Sequence, residues 1–129
     1  MNSQENIIIS FVAFIIAIII IGIVFSPLIY LGIHGWHTET ARGEHTGYIT
    51  ATEKGGILFT RNSVYLKTDT QSSQEDKYCV LDEAVYTDLQ KYAKEKTFVN
   101  VYFFDWLIAG AKYCSPESTG IIYKVEQAK

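Results

Sequence analysis

Apolar residues crowd into the first quarter of this chain. From Ile7 to Phe25 only Ser10 and Gly22 interrupt them, and no charged side chain appears until Glu39. Nineteen residues at about 1.5 Å rise cover roughly 28 Å, close to the hydrocarbon thickness of a bilayer. The run continues through Pro27 to Leu31, which leaves slack for tilt. It is rich in β-branched Ile, a weak helix preference in water. In lipid an isolated strand would leave its backbone unpaired, so a helix is predicted. Tyr30 and Trp36 fall where interfacial aromatics belong. A cleaved signal peptide fits less well: residues 1–6 hold no Lys or Arg, the run is too long, and no small-x-small pattern follows. Residues 1–33 are therefore read as an uncleaved signal-anchor, touching membrane lipid from Ile7 to Leu31.

Beyond the anchor the pattern changes. Residues 34–45 (HGWHTETARGEH) are polar and without period, and read as a juxtamembrane linker. A small domain is expected over 46–129. Residues 46–53 (TGYITATE) are strand-like and Lys54-Gly55-Gly56 makes a tight turn. A short second strand is predicted over 57–60, a turn over 61–63, a third strand over 64–68, a polar loop over 69–77, and extended chain over 78–81. Asp82 reads as a helix N-cap, with Leu81 and Tyr86 placed as a hydrophobic staple. Val85, Leu89, Tyr92 and Ala93 keep helical spacing. Residues 98–104 (FVNVYFF) form a buried strand and 120–126 (GIIYKVE) a last one. Three strands, a helix and two strands give a mainly β (α+β) domain. The order matches a small five-stranded OB-like barrel with one helix between strands 3 and 4. An SH3-like barrel or an α+β sandwich would share it. The expected core is Tyr48, Ile49, Ile57, Leu58, Val64, Leu66, Val80, Val85, Leu89, Val99, Val101, Phe103, Ile121 and Val125.

Charge and cysteine narrow the function. The 129 residues carry a net −3, and every Lys, Arg, Asp and Glu but Glu5 lies from Glu39 onward. A mildly acidic head is unsuited to gripping a polyanion, so nucleic acid is not an expected partner. Cys79 and Cys114 read as one disulfide, because a small extracytoplasmic core gains from a covalent staple. Two unrelated buried thiols in a reducing compartment are the alternative. Positive-inside counting offers only Arg42 near the helix, which tips the head slightly toward the cytoplasm. The cysteine pair outweighs it. The expected place is the bacterial inner (plasma) membrane, single-pass, with a cytoplasmic N-terminus and an extracytoplasmic C-terminal domain.

The T-G-Y-I-T-A-x-E strand (46–53), the S-S-Q-E-D-x-Y-C loop (72–79) and the closing G-I-I-Y strand resemble small uncharacterised single-pass membrane-anchored proteins of bacteria and their phages. The resemblance brings no established activity and no functional residues.

Sites for chemistry are sparse. His34, His37 and His45, with Glu39 and Glu44, are the only ligand-like cluster, and a solvated linker explains them better than a metal. The acidic stretch 69–76 lacks the spacing and turn glycine of an EF-hand loop. No His lies within the predicted domain, and Ser72, Ser73, Ser115 and Ser118 lack a nucleophile elbow. Enzymatic activity, cofactors and a small-molecule substrate are therefore not expected. Aromatic residues are plentiful around the fourth strand. Since successive strand residues face opposite sides, Tyr102, Phe104 and Trp106 cannot share a face with Val99, Val101 and Phe103. They are either covered by the domain itself or form a partner-binding patch. The expected function is a membrane-anchored, non-enzymatic protein-interaction module, in one form phage- or prophage-encoded. The alternatives are an accessory subunit of a larger membrane complex and an OB-type nucleic-acid-binding domain at the membrane.

Overall fold

The computed structural model describes residues 2–68 and 74–128. Helix α1 spans Ser3–His34. Asn2 caps it, its side chain accepting from the Glu5 amide at 2.9 Å, and Glu5 sits in the first turn where the helix dipole favours an acid. None of its residues is buried, and it is long and apolar enough to cross a membrane. Gly35, at φ +79°, ends it and donates its amide to the Leu31 carbonyl.

Five strands and a second helix follow: β1 (Trp36–Gly55), β2 (Arg61–Lys67), β3 (Asp76–Val80), α2 (Glu83–Glu95), β4 (Phe98–Ile108) and β5 (Ile121–Gln127). The helix between the third and fourth strands is where the sequence placed it. The ladders run β1-β2-β3-β5-β4 and return to β1, so the mixed sheet closes on itself. All pairings are antiparallel except β3 with β5, which meet through one parallel bridge, Cys79 to Ile121.

Two expectations for the first half of the head need correction. The stretch read as a linker is strand from Trp36 on: β1 is 20 residues long, and its first part pairs with β4 from Trp36↔Ile108 to Tyr48↔Phe98. Nothing in its side chains announces this, because the outer positions are polar and β4 supplies the pairing. A Cβ on Gly43 would stand 2.8 Å from the Phe103 ring lying across it, so a larger residue there would have to push that ring aside. The strand predicted over 57–60 is instead the β1–β2 loop. Gly56 at φ +147° turns the chain, Gly55 pairs with Arg61, and β2 begins where a turn was expected. Ile57 and Leu58, counted as core, are 101% and 86% exposed.

The rest of the expected core holds in large part. Ile49, Val64, Leu66, Val80, Leu89, Val99, Val101 and Ile121 are buried, while Val85, Phe103 and Val125 pack at the edge. Each full burial of a Leu or Val contributes about 1.5–3 kcal/mol before entropy is counted. Tyr78, Tyr86 and Ile122 join them. Helix α2 lays Tyr86 and Leu89 on the sheet. Asp82 caps it, accepting from the Ala84 amide at 2.9 Å, and Lys96 ends it in the left-handed region.

A second, smaller core surrounds the disulfide. Cys79 on β3 is bonded to Cys114 in the β4–β5 loop, with a Cα–Cα distance of 5.4 Å. Ile121 is buried with them, and Phe104, Trp106, Ala109 and Tyr113 pack around. The same loop clasps the end of α1: Ala111 and Lys112 donate their amides to the carbonyls of Gly32 and Ile33 at 2.8 and 2.9 Å.

Candidate functional site

Alternation along β4 sorts its aromatics. Val99 and Val101 are fully buried and Phe103 packs on the core, so Tyr102, Phe104 and Trp106 lie on the outer wall, half-buried. They are not isolated. The outward Tyr123 of β5 stands 6.4 Å from the Tyr102 ring and 5.8 Å from Phe104, and Phe104 is 5.8 Å from Trp106. A continuous aromatic row therefore crosses β4 and β5.

The two ends of this row differ. At one end Trp106 is covered: His37 of β1 stacks on it at 3.6 Å, nearly parallel, and Tyr113 meets it edge-on at 5.7 Å. With Phe104 it belongs to the packing around the disulfide. At the other end charged groups frame open rings. Arg42 of β1 lies 4.9 Å from the Tyr123 ring centre and forks onto Glu39 at 2.7 and 3.0 Å. Lys124 lies 5.0 Å from the Tyr102 ring. The Tyr102 hydroxyl donates to Glu126 at 2.5 Å. That bond, with some burial, pushes its pKa up to about 12. Arg42 in turn holds the Glu39 carboxyl below its ordinary range. A wall of rings edged by both signs of charge suits a protein surface, where aromatic residues and Arg dominate contacts.

Sequence reasoning found the β4 members of this wall and missed Arg42, Tyr123 and Lys124. For Tyr123 a signal existed: it follows Ile121-Ile122 in the closing strand, one step beyond the buried pair. Arg42 could not be found, because it sits in the stretch that looked like a linker.

The histidines part company. His34 closes α1, and its carbonyl lies 2.7 Å from the His37 Nε2. His45 turns the other way: its Nδ1 hydrogen-bonds the Tyr78 hydroxyl and lies 3.9 Å from Asp76. Burial drives the Tyr78 pKa far above the ordinary tyrosine value, with the Asp76 and Asp105 carboxylates adding to it. That phenol stays protonated and is a poor nucleophile at neutral pH. Among the described residues no three His, Cys, Asp or Glu side chains come together as metal ligands. Residues 69–73, including Ser72, Ser73 and most of the acidic stretch, lie outside the described residues.

A cleft runs between the β1–β2 loop and the start of α2, lined in part by Arg61, Asn62, Glu83 and Lys112. Arg61, Asn62 and Glu83 are engaged within the fold. Arg61 donates to the Ala111 and Cys114 carbonyls at 2.9 and 3.3 Å, and Glu83 accepts from Asn62 at 3.0 Å and Lys54 at 3.3 Å. Comparison with protein-family models, curated proteins and solved structures finds no match.

Proposed function

We propose that this chain is a membrane-anchored, non-enzymatic protein-interaction module whose OB-like head engages a protein partner through the outer wall of β1, β4 and β5. The observation that carries this is the row Tyr102–Tyr123–Phe104, outward-facing and flanked by Arg42 and Lys124. Rings already held by their neighbours lose little conformational entropy on binding. The OB-like reading is supported by the ladder order and by the place of α2. Trp106 is better read as a structural wedge than as a contact residue, because His37 and Tyr113 enclose it.

In this reading α1 spans the bacterial inner membrane once, with the N-terminus cytoplasmic and the head extracytoplasmic. The Cys79–Cys114 disulfide supports that side, since cytosolic thiols are kept reduced. Tethering confines the head to the bilayer's neighbourhood and raises its effective concentration for another membrane-bound protein, so a weak interface suffices. The likeness of the 46–53 and 72–79 segments to membrane-anchored proteins of bacteria and their phages favours a phage- or prophage-encoded role at the cell envelope.

Site-specific photo-crosslinking in cells tests the wall. A photoreactive residue in place of Tyr123 or Tyr102 is expected to capture one discrete protein, whereas the same residue in place of Gln90, on the exposed side of α2, captures none. Equal capture from all three positions, or none from any, would sink the proposal.

A further inference from the structure

The base of the head is fixed against the end of α1. Besides the two amide bonds from Ala111 and Lys112, Gly35 and Gly110 cross at close quarters with φ of +79° and +80°. A Cβ on Gly110 would stand 2.6 Å from the Gly35 nitrogen, and one on Gly35 would stand 2.2 Å from the Ile108 carbonyl oxygen. Only glycine fits either position, so this crossing makes a defined joint.

Apolar side chains collect around that joint. Outside α1, seven large hydrophobic residues among those described are exposed; Phe98 lies at the far end of β4 and Leu81 just before α2, while Trp36, Ile57, Leu58, Leu107 and Ile108 gather here. Trp36 begins β1 directly after the joint, Ile108 pairs with it, and Leu107 is its neighbour. The β1–β2 loop reaches the same place, since Ile57, Leu58 and Phe59 share an apolar groove with Ile33 of α1. Arg61 is pinned beside the loop by its bonds to Ala111 and Cys114, and Lys112 stands across the adjoining cleft.

Helix length says what covers this patch. Residues 7–33 carry no charge and extend about 40 Å, against a hydrocarbon core of about 30 Å and roughly 40–45 Å with headgroups. The last turns of α1 therefore lie in the headgroup layer, or the helix tilts to hide the excess. Either way Ile33 and everything touching it sits at the bilayer surface.

We infer that the β1–β2 loop is a second membrane contact: Ile57 and Leu58 insert at the boundary between headgroups and acyl chains, with Lys112 facing anionic headgroups. The occupant of the patch is lipid, and the loop sets the direction in which the helix leans. This rests on α1 spanning the bilayer. It explains why the most exposed apolar pair of the head lies beside the helix exit.

The full chain in vesicles of phosphatidylethanolamine and phosphatidylglycerol tests it, with a fluorescent amino acid replacing Leu58, Gln90 or Ile15 in turn. Nitroxides near the headgroup end of the acyl chain are expected to remove about half or more of the emission from position 58. Position 90 keeps its emission, and position 15 is quenched by nitroxides at the acyl terminus. If position 58 resembles position 90 while position 15 is quenched, the loop contact is overturned and the span stands. Should position 15 escape quenching, both fall. Blue-shifted emission at 58 without lipid quenching would mean that protein covers the loop, which also overturns the inference.

Discussion

Asp105 follows Phe103 on β4, and its charge is felt at the buried Tyr78 hydroxyl. Burial raises its pKa above the ordinary 3.8. The folded state thus holds this proton more tightly than the unfolded chain. Its contribution to stability is fully present below pH 3.8 and is lost as pH rises through the raised folded value. Asp105→Asn should accordingly stabilise the head at neutral pH, with the gain fading in acid where the native carboxyl is already neutral. Urea denaturation at pH 7 and pH 3 checks this, and an equal effect at both would refute the burial account. Glu83 has the opposite sign. Asn62 and Lys54 lower its pKa below 4.5, so its contribution exists above that pH and is lost as pH falls through the folded value. Neither effect was legible in the sequence. Asp105 lies just past the strand predicted over 98–104, and Glu83 just after the Asp82 cap. Their environments come from Tyr78 and Asn62, more than 20 positions away in the chain.

Elements were readable where their own side chains carried the pattern. Helix α2 was, from its Asp82 cap and the spacing of Val85 and Leu89; β4 and β5 were, from runs of β-branched and aromatic residues. The first half of β1 was not, because its outward positions His37, Glu39 and Arg42 resemble a solvated linker. Its partner β4 lies some 60 residues on, so pairing could not be inferred locally. The reverse error arose at 57–60, where three apolar residues imitated a strand but Gly55-Gly56 had already turned the chain. The disulfide was legible as a pair, and its role is clear at this scale. It fastens β3 to the β4–β5 loop beside the lone parallel bridge at Ile121. A 35-residue separation corresponds to roughly 3–4 kcal/mol of loop entropy. Replacing both cysteines with Ala is expected to lower unfolding stability by about that amount. Hydrogen exchange should rise first along the β3–β5 seam and last along β1–β4; uniform loss of protection would assign the bond no local role.

For the whole molecule, the anchor and the head were both foreseeable, and the joint between them was not. What looked like a juxtamembrane linker is a helix end clasped by the β4–β5 loop and continued directly into a strand. Of the wall, Tyr102, Phe104 and Trp106 were legible from alternation. That Trp106 would be roofed by His37 and Tyr113 depended on contacts between β1, β4 and the loop. The proposed orientation has a direct readout. In intact cells a membrane-impermeant maleimide should leave Cys79 and Cys114 unlabelled, then label both after an impermeant reductant and mild denaturant. Labelling that needs permeabilised cells, without any reductant, would put the head in the cytoplasm. The ring of ladders has a further consequence for a chain whose first helix is long and apolar enough to cross a membrane. Bilayers concentrate their residents, and a row of idle amides along a sheet border invites neighbouring copies to zip together. Here every strand has two neighbours, yet β2 and β4 cover different halves of β1 and β3 meets β5 through a single bridge, so the borders are sealed only in part.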